Sequence, residues 1–157
     1  MPTHEEHMRA AIELSREKMS AGEGGPFAAL VVLDGEVVGR GWNRVTSTND
    51  PTAHAEIVAI RRACEQLGTF SLKGAVIYSS CEPCPMCLAA IYWARVSKLY
   101  YANTSQDAAG IEFDDAFLYR EIVLDEAHRS LPSERILGEE AIEVFREWRA
   151  KPDRIGY

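Results

Sequence analysis

AVIYSSCEPCPMCLAAIYWARVSKLYYAN, residues 75–103, is the stretch whose reading decides the fold. It opens with AVIYSS, a short run with strand character, and closes with KLYYAN, a second one. Between them PMCLAAIYWARV (85–96) is apolar with helical spacing. A strand, a helix and a second strand in that order predict a crossover connection and therefore a parallel pair. Three of the chain's four cysteines, Cys81, Cys84 and Cys87, stand where the first strand gives way to the helix.

Upstream, DPTAHAEIVAIRRACEQLG (50–68) begins with the turn residues Asp50 and Pro51 and ends in Gly68, which brackets another helix. GGPFAALVVLDGEVVGRGWN (24–43) reads as a hairpin, with Ala28 to Leu33 a buried strand, Asp34-Gly35 the turn and Val37 onward the return strand. THEEHMRAAIELSREKM (3–19) starts with a capping box, Thr3 with Glu6, and places Met8, Ile12 and Met19 on an apolar face. The order α-β-β-α-β-α-β predicts a mixed sheet with helices on both faces, a three-layer α/β/α sandwich. Beyond Thr104, SQDAAGIEFDDAFLYREI (105–122) reads as loop and short helix, EEAIEVFREWRA (139–150) as a terminal helix and KPDRIGY (151–157) as a tail. No repeat or linker divides the chain, so residues 1–157 are expected to form one domain.

With 157 residues, 46% of them apolar, the chain is long enough to bury a substantial core. No stretch is long enough to span a bilayer, and the charged N-terminus lacks a signal-peptide core, so a cytoplasmic location is expected. The formal net charge of -7 opposes attraction to a phosphate backbone and favours a small-molecule partner over nucleic acid. Arg61 and Arg62, or Arg146 and Arg149, read as solvated helix faces rather than as a basic patch.

In the reducing cytoplasm a structural disulfide is disfavoured, which leaves metal binding or redox catalysis for the cysteines. Cys84 falls at the expected N-cap of the third helix, Pro85 at its first position and Cys87 one turn on. Cys84 and Cys87 thus share a face at a helix N-terminus, where exposed N–H groups and the helix dipole favour thiolates. A redox dithiol would use the same geometry. The discriminator is TAHAEI, which puts His54 and Glu56 at the start of the preceding helix. His54, Cys84 and Cys87 supply the three ligands of a catalytic zinc site. Glu56, two residues from His54 and so on another face, is cast as the group that moves protons.

HAE followed by PCPMC resembles the H-x-E and P-C-x-x-C signature of the cytidine deaminase-like zinc deaminases. Within that superfamily the chain is similar to bacterial guanine deaminases in GGPFAALVV, NDPTAHAEIVAIRRAC, SCEPCPMCLAAIYWAR, FDDAFLYREI and a C-terminal tyrosine. DPTAHAEI and EPCPMC are also similar to tRNA adenosine deaminases. The resemblance implies Zn2+ as cofactor and hydrolytic deamination of guanine to xanthine and ammonia. It implies substrate contacts from Asn43, from the aromatic residues Phe27 and Trp93, from the recognition acid Asp115 and from backbone at Ala55. It further implies a homodimer in which residues 111–157 are exchanged, so that Tyr157 closes the partner's pocket.

Bland readings stand beside these. Asp114 and Asp115 could cap the helix that follows, Trp93 could be core or interface, and Cys81 and Cys64 read as small packing residues. His4, His7 and His128 read as surface residues. Two positions depart from the family pattern, which often has glycine at Ala28 and at Glu112. The alternatives are a guanosine or other aminated-heterocycle deaminase, a tRNA adenosine deaminase, and a non-catalytic zinc module closed by Cys81 as fourth ligand.

Overall fold

Asp34 and Gly35 take φ of 52° and 83°, the pair of positive values that a two-residue hairpin turn needs. They join β1 (Ala28–Leu33) to β2 (Glu36–Trp42), paired antiparallel from Ala28↔Trp42 to Leu33↔Glu36 with one register shift between Val31 and Val32. In this computed structural model, which describes residues 1–157, β3 (Val76–Cys81) runs antiparallel to β1 on its other side. β4 (Lys98–Asn103) pairs parallel with β3, completing the order β2-β1-β3-β4. The stretch 75–103 therefore forms the expected crossover.

Four helices precede β4. The first, α1 (His4–Ser20), opens with the expected capping box: Glu6 N–H donates to Thr3 Oγ1 at 3.2 Å, and Thr3 N–H to Glu6 Oε2 at 2.7 Å. A single turn, α2 (Val45–Thr48), was not foreseen in the sequence. α3 (Ala55–Leu67) ends at Gly68 in the left-handed region. α4 (Pro85–Trp93) follows β3. It is shorter than its apolar run, because Arg95 at φ 58° turns the chain and Val96 N–H bonds back to Ile91 O.

The sheet alternation creates the layers. Ala29, Val31 and Ile77 pack in one core with Ala55, Ala59 and Ala63 of α3 and Ile91 of α4. On the other face, Tyr78 meets the rings of His4 and His7 from α1. The mixed sheet with helices on both faces is the architecture expected. The inward face of α1 differs from expectation: it is centred on His7 and Ala11, while Ile12 and Met19 are exposed. His7, read as a surface residue, is only 6% exposed because it lies against the Tyr78 ring. Cys81 is also buried, as the last residue of β3.

The chain divides into two compact units, Met1–Ala116 and Phe117–Tyr157. The first also contains α5 (Ser105–Ala109), opened by its own Thr104–Asp107 capping box. The second contains the rest of α6 (Ala116–Ile122), a 3₁₀ turn at Glu126–His128 and α7 (Gly138–Ala150). No helix is long and apolar enough to cross a membrane.

Candidate active site

Two helix starts build the site. An ideal Cβ on Gly41 would lie 2.0 Å from Ala55 O, and one on Gly39 2.4 Å from Ala59 O, so only glycine lets α3 rest directly on β2. That close packing sets the N-terminus of α3, with His54 as its N-cap and Glu56 in its first turn. β3 ends at Cys81, and α4 starts with Cys84 as N-cap and Pro85 at its first position. Neither His54 nor Cys84 spends its side chain on capping its own helix.

These side chains converge. His54 Nδ1 lies 3.5 Å from Cys84 Sγ and 3.5 Å from Cys87 Sγ, and one ligand atom from each residue falls within a 4.8 Å cluster. All four cysteines are free thiols. The hydrogen bond from Cys87 and the bond to His54 draw Cys84 down to about 4, despite its burial. The same Cys84–Cys87 bond, together with burial, pushes Cys87 up, and the bond to Cys84 raises His54. One preformed thiolate with a second thiol and an imidazole around one point is a donor set suited to zinc. Cys81 stays outside it: its Sγ is 3.8 Å from Thr104 O, and burial lifts its pKa to about 11.

Glu56 is 6% exposed, and its Oε1 accepts a 2.6 Å hydrogen bond from Ser79 Oγ. Ser79 escaped the sequence reading, where AVIYSS registered only as a strand. Period-two alternation was the available signal, since it puts Ser79 on the same face as Ile77, toward α3.

The remaining expected residues divide by place. Asn43, 8% exposed, accepts on Oδ1 from Gly25 N–H at 3.3 Å and Val45 N–H at 3.2 Å. Its own N–H donates to Phe27 O, and the adjacent Arg44 N–H donates to Ala53 O at 2.9 Å, which ties Asn43 to the loop before His54. Phe27 packs edge-on to Phe113, with ring centroids 4.9 Å apart. Ala55 is buried at the first position of α3. The two aspartates separate: Asp114 Oδ1 accepts from Ala116 N–H at 2.9 Å as a helix cap. Half-buried Asp115 has its carboxyl pushed up by burial and by the nearby charge of Cys84. Trp93 ends α4, roughly 13–14 Å along the axis from Cys84, and is 66% exposed. The structure does not bring it to the cysteine cluster. Tyr157 belongs to the second unit.

The family profile for the cytidine and deoxycytidylate deaminase zinc-binding region matches residues 1–103. The guanine deaminase of Bacillus subtilis (strain 168) is 47% identical over 146 residues, 93% of this chain and 94% of that protein. The tRNA-specific adenosine deaminase of Agrobacterium fabrum is 52% identical over 98 residues, 61% of this chain and 64% of that protein. Among solved structures, an X-ray structure of the Bacillus subtilis guanine deaminase superposes with a TM-score of 0.97 at 45% identity, covering 99% of both chains. A structure of guanine deaminase from Nitrosomonas europaea gives a TM-score of 0.69 at 28% identity, covering 96% of this chain and 87% of that one. A profile match that spans well over half of the sequence, carrying the residues that converge in space, makes this chain a member of the cytidine and deoxycytidylate deaminase zinc-binding family.

Proposed function

We propose that the protein is a zinc-dependent aminohydrolase that converts guanine and water to xanthine and ammonia. The observation that carries the substrate is the likeness to the Bacillus subtilis guanine deaminase, which runs through both units rather than stopping at the zinc-binding region. In this reading His54, Cys84 and Cys87 hold the metal. Zinc bound there supplies Lewis acidity, lowering the pKa of a coordinated water from 15.7 to about 7.

The chain's own groups do the rest. Glu56, buried and held by Ser79, takes a proton from the attacking water and delivers it to the ring nitrogen beside the amino-bearing carbon. It then takes the second water proton from the hydroxyl now on that carbon and passes it to the departing amine, so the C–N bond breaks, ammonia leaves and the carbonyl of xanthine forms. Asn43 has both its Oδ1 bonds taken by backbone N–H groups, which leaves its Nδ2 to donate to an acceptor on the purine. Asp115 accepts from guanine's ring N–H and amino donors, and an analogue lacking them leaves that carboxylate unpaired. Phe27 and the backbone at Ala55 form the wall. Trp93 serves as an aromatic contact only if a partner subunit carries it there.

The same reading includes a cytoplasmic homodimer with residues 111–157 exchanged and Tyr157 closing the partner's pocket. Exposed apolar side chains in the second unit, among them Val123 and Phe145, support a covering partner. Ammonia release from guanine and from guanosine, with Glu56→Ala alongside, tests the proposal. Guanine alone should be turned over, and Glu56→Ala should keep zinc while kcat falls by at least about 100-fold. Release from guanosine alone would move the substrate to the nucleoside, and an active Glu56→Ala would remove the proton carrier.

A further inference from the structure

Ser79 lies in the middle of β3, paired with Ala29 on one side and Tyr101 on the other, so its backbone is held by strands on both edges. It is 1% exposed and its hydroxyl donates to Glu56 Oε1 at 2.6 Å, the length of a charge-assisted bond to a carboxylate. A serine hydroxyl has one proton, and burial leaves no water to compete for it. Glu56 itself sits on α3, whose distance from the sheet is set by the glycine contacts at Gly39 and Gly41.

We infer that Ser79 is a positioning residue: its hydroxyl pins one oxygen of Glu56 to the rigid centre of the sheet and leaves Oε2 as the oxygen that faces substrate. The inference rests on the reading of Glu56 as proton carrier. The orientation of Glu56 therefore depends on the Ser79 hydroxyl, a buried hydrogen bond from the central strand beside α3. Strands hold such groups more tightly than loops do, and a misplacement of about 1 Å costs on the order of 100-fold in rate.

The test compares zinc-loaded wild type with Ser79→Ala, Ser79→Thr, Glu56→Ala and the Ser79→Ala/Glu56→Ala double variant. Ser79→Ala should keep one zinc per chain and an unchanged circular dichroism spectrum. Its kcat for guanine should fall about 10–100-fold while KM stays within about 2-fold. Ser79→Thr, which retains the hydroxyl, should recover kcat to within about 5-fold, and Ser79→Ala should add no loss in the Glu56→Ala background. Apart from turnover, crystals of Ser79→Ala should show the Glu56 carboxylate in more than one orientation. Wild-type kcat in Ser79→Ala, loss of its zinc, equal losses for Ala and Thr, or an additive loss in the double variant would overturn the inference. Full activity in Glu56→Ala would instead overturn the proton-carrier reading, so the two failures are distinguishable.

Discussion

Cys84 and Cys87 are one helical turn apart, yet their protonation differs sharply. Cys84, accepting from Cys87 and paired with His54, is held at about 4, whereas burial keeps Cys64 above its ordinary value and Cys81 near 11. A depressed pKa means that the thiolate is present above that value, so at pH 6 Cys84 is ionised and the other thiols are not. Chelating the metal should therefore expose Cys84 to iodoacetamide at pH 6 ahead of Cys64 and Cys81, and zinc should protect it. Peptide mass spectrometry reads the result, and preferential labelling of Cys81 would contradict it. Glu112 supplies a second residue-scale prediction. It takes φ 72° close to the proposed recognition acid, at a position where the family it resembles often has glycine. Glu112→Gly should raise stability by about 1 kcal/mol, the left-handed penalty less the entropy of glycine, visible as a higher Tm.

At the scale of elements, α3 matters most, because it carries both His54 and Glu56. Its ends were legible from Pro51 and Gly68, since punctuation of this kind acts locally. Its closeness to the sheet was not, since Gly39 and Gly41 could equally have been read as weak strand residues. Gly41→Val would drive a side chain into Ala55 O and should cost at least about 3 kcal/mol. Because the clash falls at the start of α3, zinc occupancy and activity should drop together, as measured by metal analysis and kinetics of the purified variant. Preserved zinc binding would show that α3 tolerates displacement. α1 gives the opposite lesson. Its cap was readable from Thr3 and Glu6, but its inward face was misjudged, because the aromatic partner that buries His7 comes from β3.

At the scale of the molecule, the proposed exchange of residues 111–157 makes a prediction that no single residue carries. Deleting Tyr157 should lower kcat/KM for guanine at least about 10-fold while zinc content and circular dichroism hold, because the loss is of transition-state contact rather than of fold. Mixing the deleted chain with Glu56→Ala under conditions that allow subunit exchange should restore activity. In such a dimer one site has both an intact Glu56 and a Tyr157 supplied by the other chain. Recovery absent from the mixture would place Tyr157 in its own subunit's site or outside any site.

Sequence alone determined what is written in local pattern. The hairpin turn at Asp34-Gly35, the capping box of α1, the crossover through residues 75–103 and the spacing of His54, Glu56, Cys84 and Cys87 all depend on neighbours in the chain or on motif chemistry. Tertiary structure alone decided how near these groups come: His54 Nδ1 stands 3.5 Å from both Cys84 Sγ and Cys87 Sγ, while Cys81 ends a strand and turns to Thr104 O. It also decided that Asp114 caps a helix while Asp115 lies near Cys84, and that Ser79 grips Glu56. Those outcomes turn on the distance between a strand and a helix far apart in sequence, which is set by packing and which no local pattern encodes.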